Sequence, residues 1–157
     1  MKLSAREDIE APAQHVFAAL TDFEGFERGA LRRGAEIRRL DQHPAPGPGM
    51  SWELRFRWRG RQRVVIADLV RWEPPAAVGW RAESSGYDLD LGFSLVELSP
   101  RRTRLTVEIE ARPRTLAARI LLQSMKLGKA KLTRKMQQRL RQAADELEER
   151  WRAEGAA

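Results

Sequence analysis

Residues 52–58, WELRFRW, alternate without a break. Trp52, Leu54, Phe56 and Trp58 point one way and Glu53, Arg55 and Arg57 the other, the period-two pattern of a strand with one covered and one wet face. This constrains the chain more than any other feature, because a sheet with one bulky apolar face must be covered by another layer. The pattern does not stand alone. Residues 2–10 alternate weakly, with Leu3, Ala5 and Ile9 on one side, and residues 35–41 form a further strand. Gly60 turns the chain into RQRVVIADLVRW, which Pro74-Pro75 stops. VGWRAES (78–84) follows, then a strand alternating at Tyr87, Leu89, Leu91, Phe93 and Leu95, then one alternating at Leu105, Val107 and Ile109. Short turns join them, so the sheet is expected to be an antiparallel meander.

Between the first strand and this meander the period is helical. Pro12 suits a first helical turn, and Val16, Phe17 and Leu20 recur on one face. Asp22 is placed to cap a second short helix carrying Phe23, Phe26 and Leu31. The segment HPAPGPG (43–49) holds three prolines and two glycines and reads as a loop at an edge or mouth. From about 115 to 153 the chain reads as one long helical region. Its inner stripe is Leu132, Met136, Leu140, Ala143, Leu147 and Trp151, extended upstream by Met125. Residues 116–128 are apolar on more than one face, as expected of a piece buried on two sides or docked on a second surface.

The order is strand, two short helices, long meander, long C-terminal helix. It resembles the helix-grip fold of the START-like (SRPBCC) superfamily, in its polyketide cyclase/dehydrase and lipid-transport branch. The residues that carry the likeness are IEAPAQHVFAALTDFEGFER (9–28), VGWRAESSG (78–86), TRLTVEIEA (103–111) and LAARILLQSMKLGKAKLTRKMQQRLRQAADELEER (116–150). The expected fold is therefore α+β: a curved antiparallel sheet wrapped round the C-terminal helix, as a single domain over 1–157. The resemblance implies a cavity for a hydrophobic or amphipathic small molecule or lipid, between sheet and C-terminal helix. It does not by itself imply catalysis, since one fold hosts many functions.

The 157 residues include no cysteine and two histidines. Thiolate chemistry is excluded, and no multi-histidine metal site, cofactor motif or nucleophile–base set is read. His15 is expected at the edge of its helix, and His43 in the loop. No apolar run approaches a membrane span and the N-terminus lacks a signal-peptide h-region, so a cytoplasmic location is expected.

The candidate ligand-binding residues are Trp52, Phe56, Trp80, Tyr87, Met125, Lys129 and Met136. The aromatics alternate on strands that face the cover, and Met125 and Met136 would give a deformable lining. Lys129 falls close to the inner stripe if the helix is continuous. Its ammonium would then meet Asp68, Glu7 or a ligand carboxylate or phenolate, or its stem would carry it past the apolar rim to water. Asp68 is a candidate acid if it faces inward with Val64, Ile66, Val70 and Trp72. The alternative inward set is Val65, Ala67 and Leu69, and alternation does not choose between them. Glu7 raises the same question.

The net charge is +7, yet it belongs to one segment. Between Ala111 and Ala144 lie ten basic residues and no acid, among them Lys126, Lys131, Arg134, Lys135 and Arg141, while the rest of the chain is slightly acidic. This does not read as a nucleic-acid surface. It fits a solvated helix face, an anionic membrane surface or an acidic partner. Three functions follow as alternatives: a carrier or sensor of a hydrophobic molecule, a cyclase-like enzyme, or an interaction protein using its basic helix.

Overall fold

The computed structural model describes residues 1–156. In chain order it has β1 (Lys2–Ile9), α1 (Ala13–Leu20), α2 (Phe23–Arg32), β2 (Glu36–Arg39), β3 (Ser51–Trp58), β4 (Arg61–Glu73), β5 (Ala77–Ser84), β6 (Tyr87–Ser99), β7 (Arg102–Pro113), α3 (Leu116–Lys126) and α4 (Lys129–Ala156). The strands form one seven-stranded sheet in the order β1-β7-β6-β5-β4-β3-β2. Every neighbouring pair is antiparallel. β2 to β7 run as the meander the alternation predicts, and β1 joins the far side of β7.

The registers fix which side chains share a face. Trp52 lies opposite Ala67, Leu54 opposite Val65 and Phe56 opposite Arg63. Directly opposed residues point the same way, so Val65, Ala67 and Leu69 are the inward set of β4. Val65 and Leu69 are buried. A bulge between Leu69 and Arg71 then shifts the register by one, which returns Trp72 to the inner face, where it packs on the core. The β3–β4 turn is a two-residue hairpin with Arg59 and Gly60 both at positive φ, the twist that suits antiparallel strands.

The core lies where α1 meets the sheet. Ile9, Val16, Met50, Leu69, Val78 and Leu105 are essentially inaccessible there. Thr103, also fully buried, donates its hydroxyl to the Ala11 carbonyl at 2.8 Å. That bond satisfies a buried carbonyl at the bend from β1 into α1. Asp22 caps α2 as its residue type predicts, accepting from the Gly25 N–H at 3.1 Å.

The C-terminal region is two helices. Leu127 and Gly128 close the last turn of α3 with short-range bonds to the Ser124 and Met125 carbonyls, and α4 starts afresh at Lys129. Glycine is a weak helix former, which locates the break. α4 packs along β1, the edge strand of the sheet. Its Gln137 accepts from the Arg6 N–H at 3.2 Å and donates to the Arg6 carbonyl at 2.8 Å. It also donates to the Glu7 carboxylate at 2.9 Å. One amide thus satisfies backbone that a bare edge would expose. The buried residue at the middle of the stripe is Ala144, whereas Ala143 is exposed.

Asp41 anchors the Pro/Gly loop. It accepts from the Arg39 guanidinium at 2.8 and 3.0 Å and from the backbone N–H groups of His43 and Ser51 at 2.9 and 2.8 Å. Arg39 holds its carboxyl far below the ordinary value of 3.8. Arg104 lowers Asp8 and Arg112 lowers Asp90 in the same sense. A carboxyl lowered by folding contributes stability above its unfolded value, and that contribution is lost as pH falls through the folded value. The melting temperature should therefore fall progressively below pH 3.8. In Asp41→Asn that acid decline should be shallower, with a lower plateau near neutrality. Identical acid limbs by circular dichroism would show that Asp41 contributes nothing.

Candidate functional site

An apolar cavity of about 430 Å³ lies between α2 and the inner face of the sheet. Phe23 and Phe26 of α2 roof it, Ile37 closes its β2 side, and Trp52, Leu54, Trp80 and Phe93 are prominent in its wall. The amphipathic turn of α2 puts both phenylalanines on one side. Phe23 meets Trp52 with ring centroids 5.0 Å apart and lies 6.3 Å from both Trp72 and Trp80, edge-on to Trp80. Trp80 in turn meets Phe93 edge-on at 5.5 Å. The aromatic cluster plugs the end of the cavity nearest the core, and tilted ring contacts of this kind fix its shape.

Asp90 is the one charged residue bordering the wall, and it does so through its backbone, because its side chain shares the outer face with the opposed Arg81 and Glu110. Its carboxylate is engaged by Arg112 at 2.6 Å and Arg81 at 3.5 Å. Arg112 lowers its pKa, so it stays ionised and has no proton to donate. His15 packs on Trp151 at 5.2 Å beside Glu154, away from the cavity. His43 lies in the loop, also outside the wall.

Two of the aromatics expected from the sequence, Trp52 and Trp80, are in the wall. Phe56 is half-buried one rung further along the same face. Tyr87 is half-buried, and its hydroxyl donates to the Ala118 carbonyl of α3 at 3.3 Å. Met136 packs against the core from α4, and Met125 is half-buried on α3. Neither borders the cavity, whose wall contains no residue of α3 or α4. The cover over this space is therefore α2, and α4 stands beside the sheet's β1 edge.

Two expectations are corrected. Asp68 is exposed on the outer face opposite Ser51, because Val65, Ala67 and Leu69 are the inward set. Lys129 is exposed as the first residue of α4, because the break at Leu127-Gly128 ends the continuous helix that would have turned it inward. Glu7 does face α4, where it pairs with Gln137 and with Arg141 at 3.3 Å.

The roof residues Phe23 and Phe26 were legible as helix-forming apolar positions, but only the packing of α2 gives them a role. A second cleft of about 520 Å³ lies between β1, β7 and α4. Its charges pair with one another, Asp8 with Arg104 at 2.8 Å, Glu10 with Arg102 at 3.1 Å and Glu7 with Arg141. It offers no apolar wall comparable to the first.

A curved antiparallel sheet with two short helices after its first strand and a long C-terminal helix defines a helix-grip protein of the START-like type. The chain belongs to the polyketide cyclase/dehydrase and lipid transport family, whose pattern matches residues 1–148. Its fold is similar to that of the Zhui aromatase/cyclase from Streptomyces, with a TM-score of 0.71 and 16% identity over 99% of this chain and 98% of that one. A Thermus thermophilus protein gives 0.66 at 15% identity, covering 98% of each chain. A START superfamily protein from Mycobacterium smegmatis gives 0.59 at 16% identity, over 90% of this chain and 98% of that one. At such identities the likeness is one of fold. No curated protein matches the sequence.

Proposed function

We propose that the protein binds a hydrophobic or amphipathic small molecule or lipid under α2 and holds it without turning it over. The observation that carries this reading is the chemistry of the wall: its side chains are aromatic and aliphatic throughout, and the one acid that borders it, Asp90, turns its carboxylate to two arginines on the outer face. A cyclase acting by proton transfer needs a group within hydrogen-bond reach of its substrate that can give or take a proton. Among the described residues the wall supplies none that is free. Apolar pockets of this size suit small ligands. The family accommodates both binders and cyclases, so the test must separate them. Native mass spectrometry of freshly purified protein, followed by extraction, should show a co-purified apolar molecule or ready uptake of one. Turnover of aromatic polyketide-like substrates would overturn the non-catalytic reading.

A second reading is supported by α3. Leu116, Ile120 and Leu127 are 73, 56 and 93% exposed. At 100° per residue they fall within an arc of about 40°, on the side of α3 opposite the buried Ala118 and Leu122. Arg119 and Lys126 border the stripe along one side, and Lys129, Lys131, Arg134 and Lys135 continue the positive charge, all exposed. An apolar stripe bordered by cations is the pattern of a helix that lies in the interface of an anionic bilayer. No helix among the described residues is long and apolar enough to cross a membrane. We therefore assign α3 as a surface-docking helix for acidic lipid, and sedimentation with phosphatidylglycerol vesicles tests it.

A further inference from the structure

The cavity wall is apolar enough to hold a ligand but has nothing in it to orient one. One rung beyond Leu54 and Val65, on the same inner face, stand Phe56 and Arg63. Successive inward residues of a strand are about 7 Å apart, so Arg63 lies one rung beyond the lining residues Leu54 and Val65, just past the end of the cavity towards the β3–β4 hairpin. That end is opposite the Phe23 plug. The Arg63 side chain is half-buried, and its Nε is shut away from solvent with no hydrogen-bond partner. Its guanidinium lies 5.5 Å from the Trp58 ring centroid, and Arg59 covers the same ring at 4.6 Å. Among the described residues no carboxylate pairs with Arg63.

A buried N–H without a partner is costly, and a guanidinium is built to take an oxyanion on two N–H groups at once. The outward arginines nearby are served differently: Arg55 pairs with Glu53, and Arg57 donates to the Gly60 carbonyl. Arg63 alone combines the inner face with an unmet buried donor.

We infer that Arg63 is the polar anchor of the ligand site, and that the ligand is an amphipathic anion. Its apolar body would lie under Phe23 and Phe26, and its carboxylate, phosphate or sulfonate would reach Arg63. This rests on the proposed binding reading and specifies the ligand's chemical class. The cation sought on the C-terminal helix at Lys129 is thus supplied from β4.

The test uses two fluorescent probes with similar aromatic bodies, the anionic 8-anilinonaphthalene-1-sulfonate and the neutral N-phenyl-1-naphthylamine. Arg63→Gln should weaken the sulfonate probe by about tenfold or more, the scale of one lost charge-assisted bond. The neutral probe should be unaffected and so reports an intact cavity. Arg57→Gln removes the same charge from the outer face and should change neither. If Arg63→Gln does not fold, Arg63→Met keeps an unbranched stem against Trp58 and repeats the measurement. Equal sulfonate affinity in the Arg63 and Arg57 variants, with the neutral probe still bound, would overturn the inference while leaving the cavity reading standing. Failure of the wild type to bind either probe would overturn the cavity reading itself.

Discussion

Trp52→Ala is expected to cost about 3–5 kcal/mol of folding stability, the usual range for truncating a buried large aromatic. Trp52 is 5% exposed and belongs to the core cluster, yet it also walls the cavity and holds Phe23 at 5.0 Å. Its loss removes packing beneath α2, which is otherwise held by β2 and by the more distant contacts of Phe23 with Trp72 and Trp80. The effect should therefore appear twice. The urea midpoint falls with little change in slope, and the neutral naphthylamine probe binds more weakly because the roof is no longer fixed. Phe56→Ala, four residues along the same strand and on the same face, is the comparison. Phe56 is half-buried and outside the wall, so its truncation should cost about half as much, since less surface returns to water. Similar midpoints for the two variants would show that Trp52 is not the support of α2.

The contrast between those two residues marks how far alternation reads. It placed Trp52, Leu54 and Phe56 on one face, and they share it. It did not say how deep each lies, because depth depends on what α2 covers. On β4 it failed for a physical reason. Both faces of VVIADLV are apolar, and the bulge after Leu69 puts Trp72 on the same side as Leu69 although they differ by an odd number of residues. No period-two rule accommodates that. The assignment of Asp68 inherited the ambiguity, and the register with Ser51 removed it. Arg63 went unread because a charged residue near a strand end looks like part of a wet face. Only its pairing with Phe56 shows that it faces inward.

The C-terminal region shows the same limit at helical period. Extrapolating one phase across Leu127-Gly128 turned Lys129 inward, but the helix restarts there and Lys129 is exposed. The apolar residues on the second face of 116–128, by contrast, were legible from their helical spacing, and the structure leaves three of them uncovered. The placement of α4 along β1 rather than over the cavity could not be read from its stripe. There Leu140, Ala144 and Leu147 are buried in the core cluster, and Gln137 bonds the Arg6 backbone.

Replacing Leu116, Ile120 and Leu127 together by Ser should abolish binding to phosphatidylglycerol vesicles while leaving the fold intact. These side chains are mostly in water already, so their removal should shift stability by no more than about 0.5 kcal/mol each. In the bilayer interface each would contribute up to about 1.5–3 kcal/mol. A second variant separates charge from burial. Arg119, Lys126, Lys129 and Lys131 are exposed, and a cation near an acidic leaflet contributes about 1 kcal/mol. Reversing all four to Glu should therefore weaken binding by at least about three orders of magnitude. Arg141 is the control, since it is held by Glu7 and Asp145, and Arg141→Gln should retain wild-type vesicle affinity. Binding by the wild type should fall as salt is raised and be absent on phosphatidylcholine alone. Equal sedimentation of the serine variant and the wild type would assign the attraction to charge without insertion. No sedimentation of the wild type at low salt would end the docking reading and leave the basic segment as a solvated face.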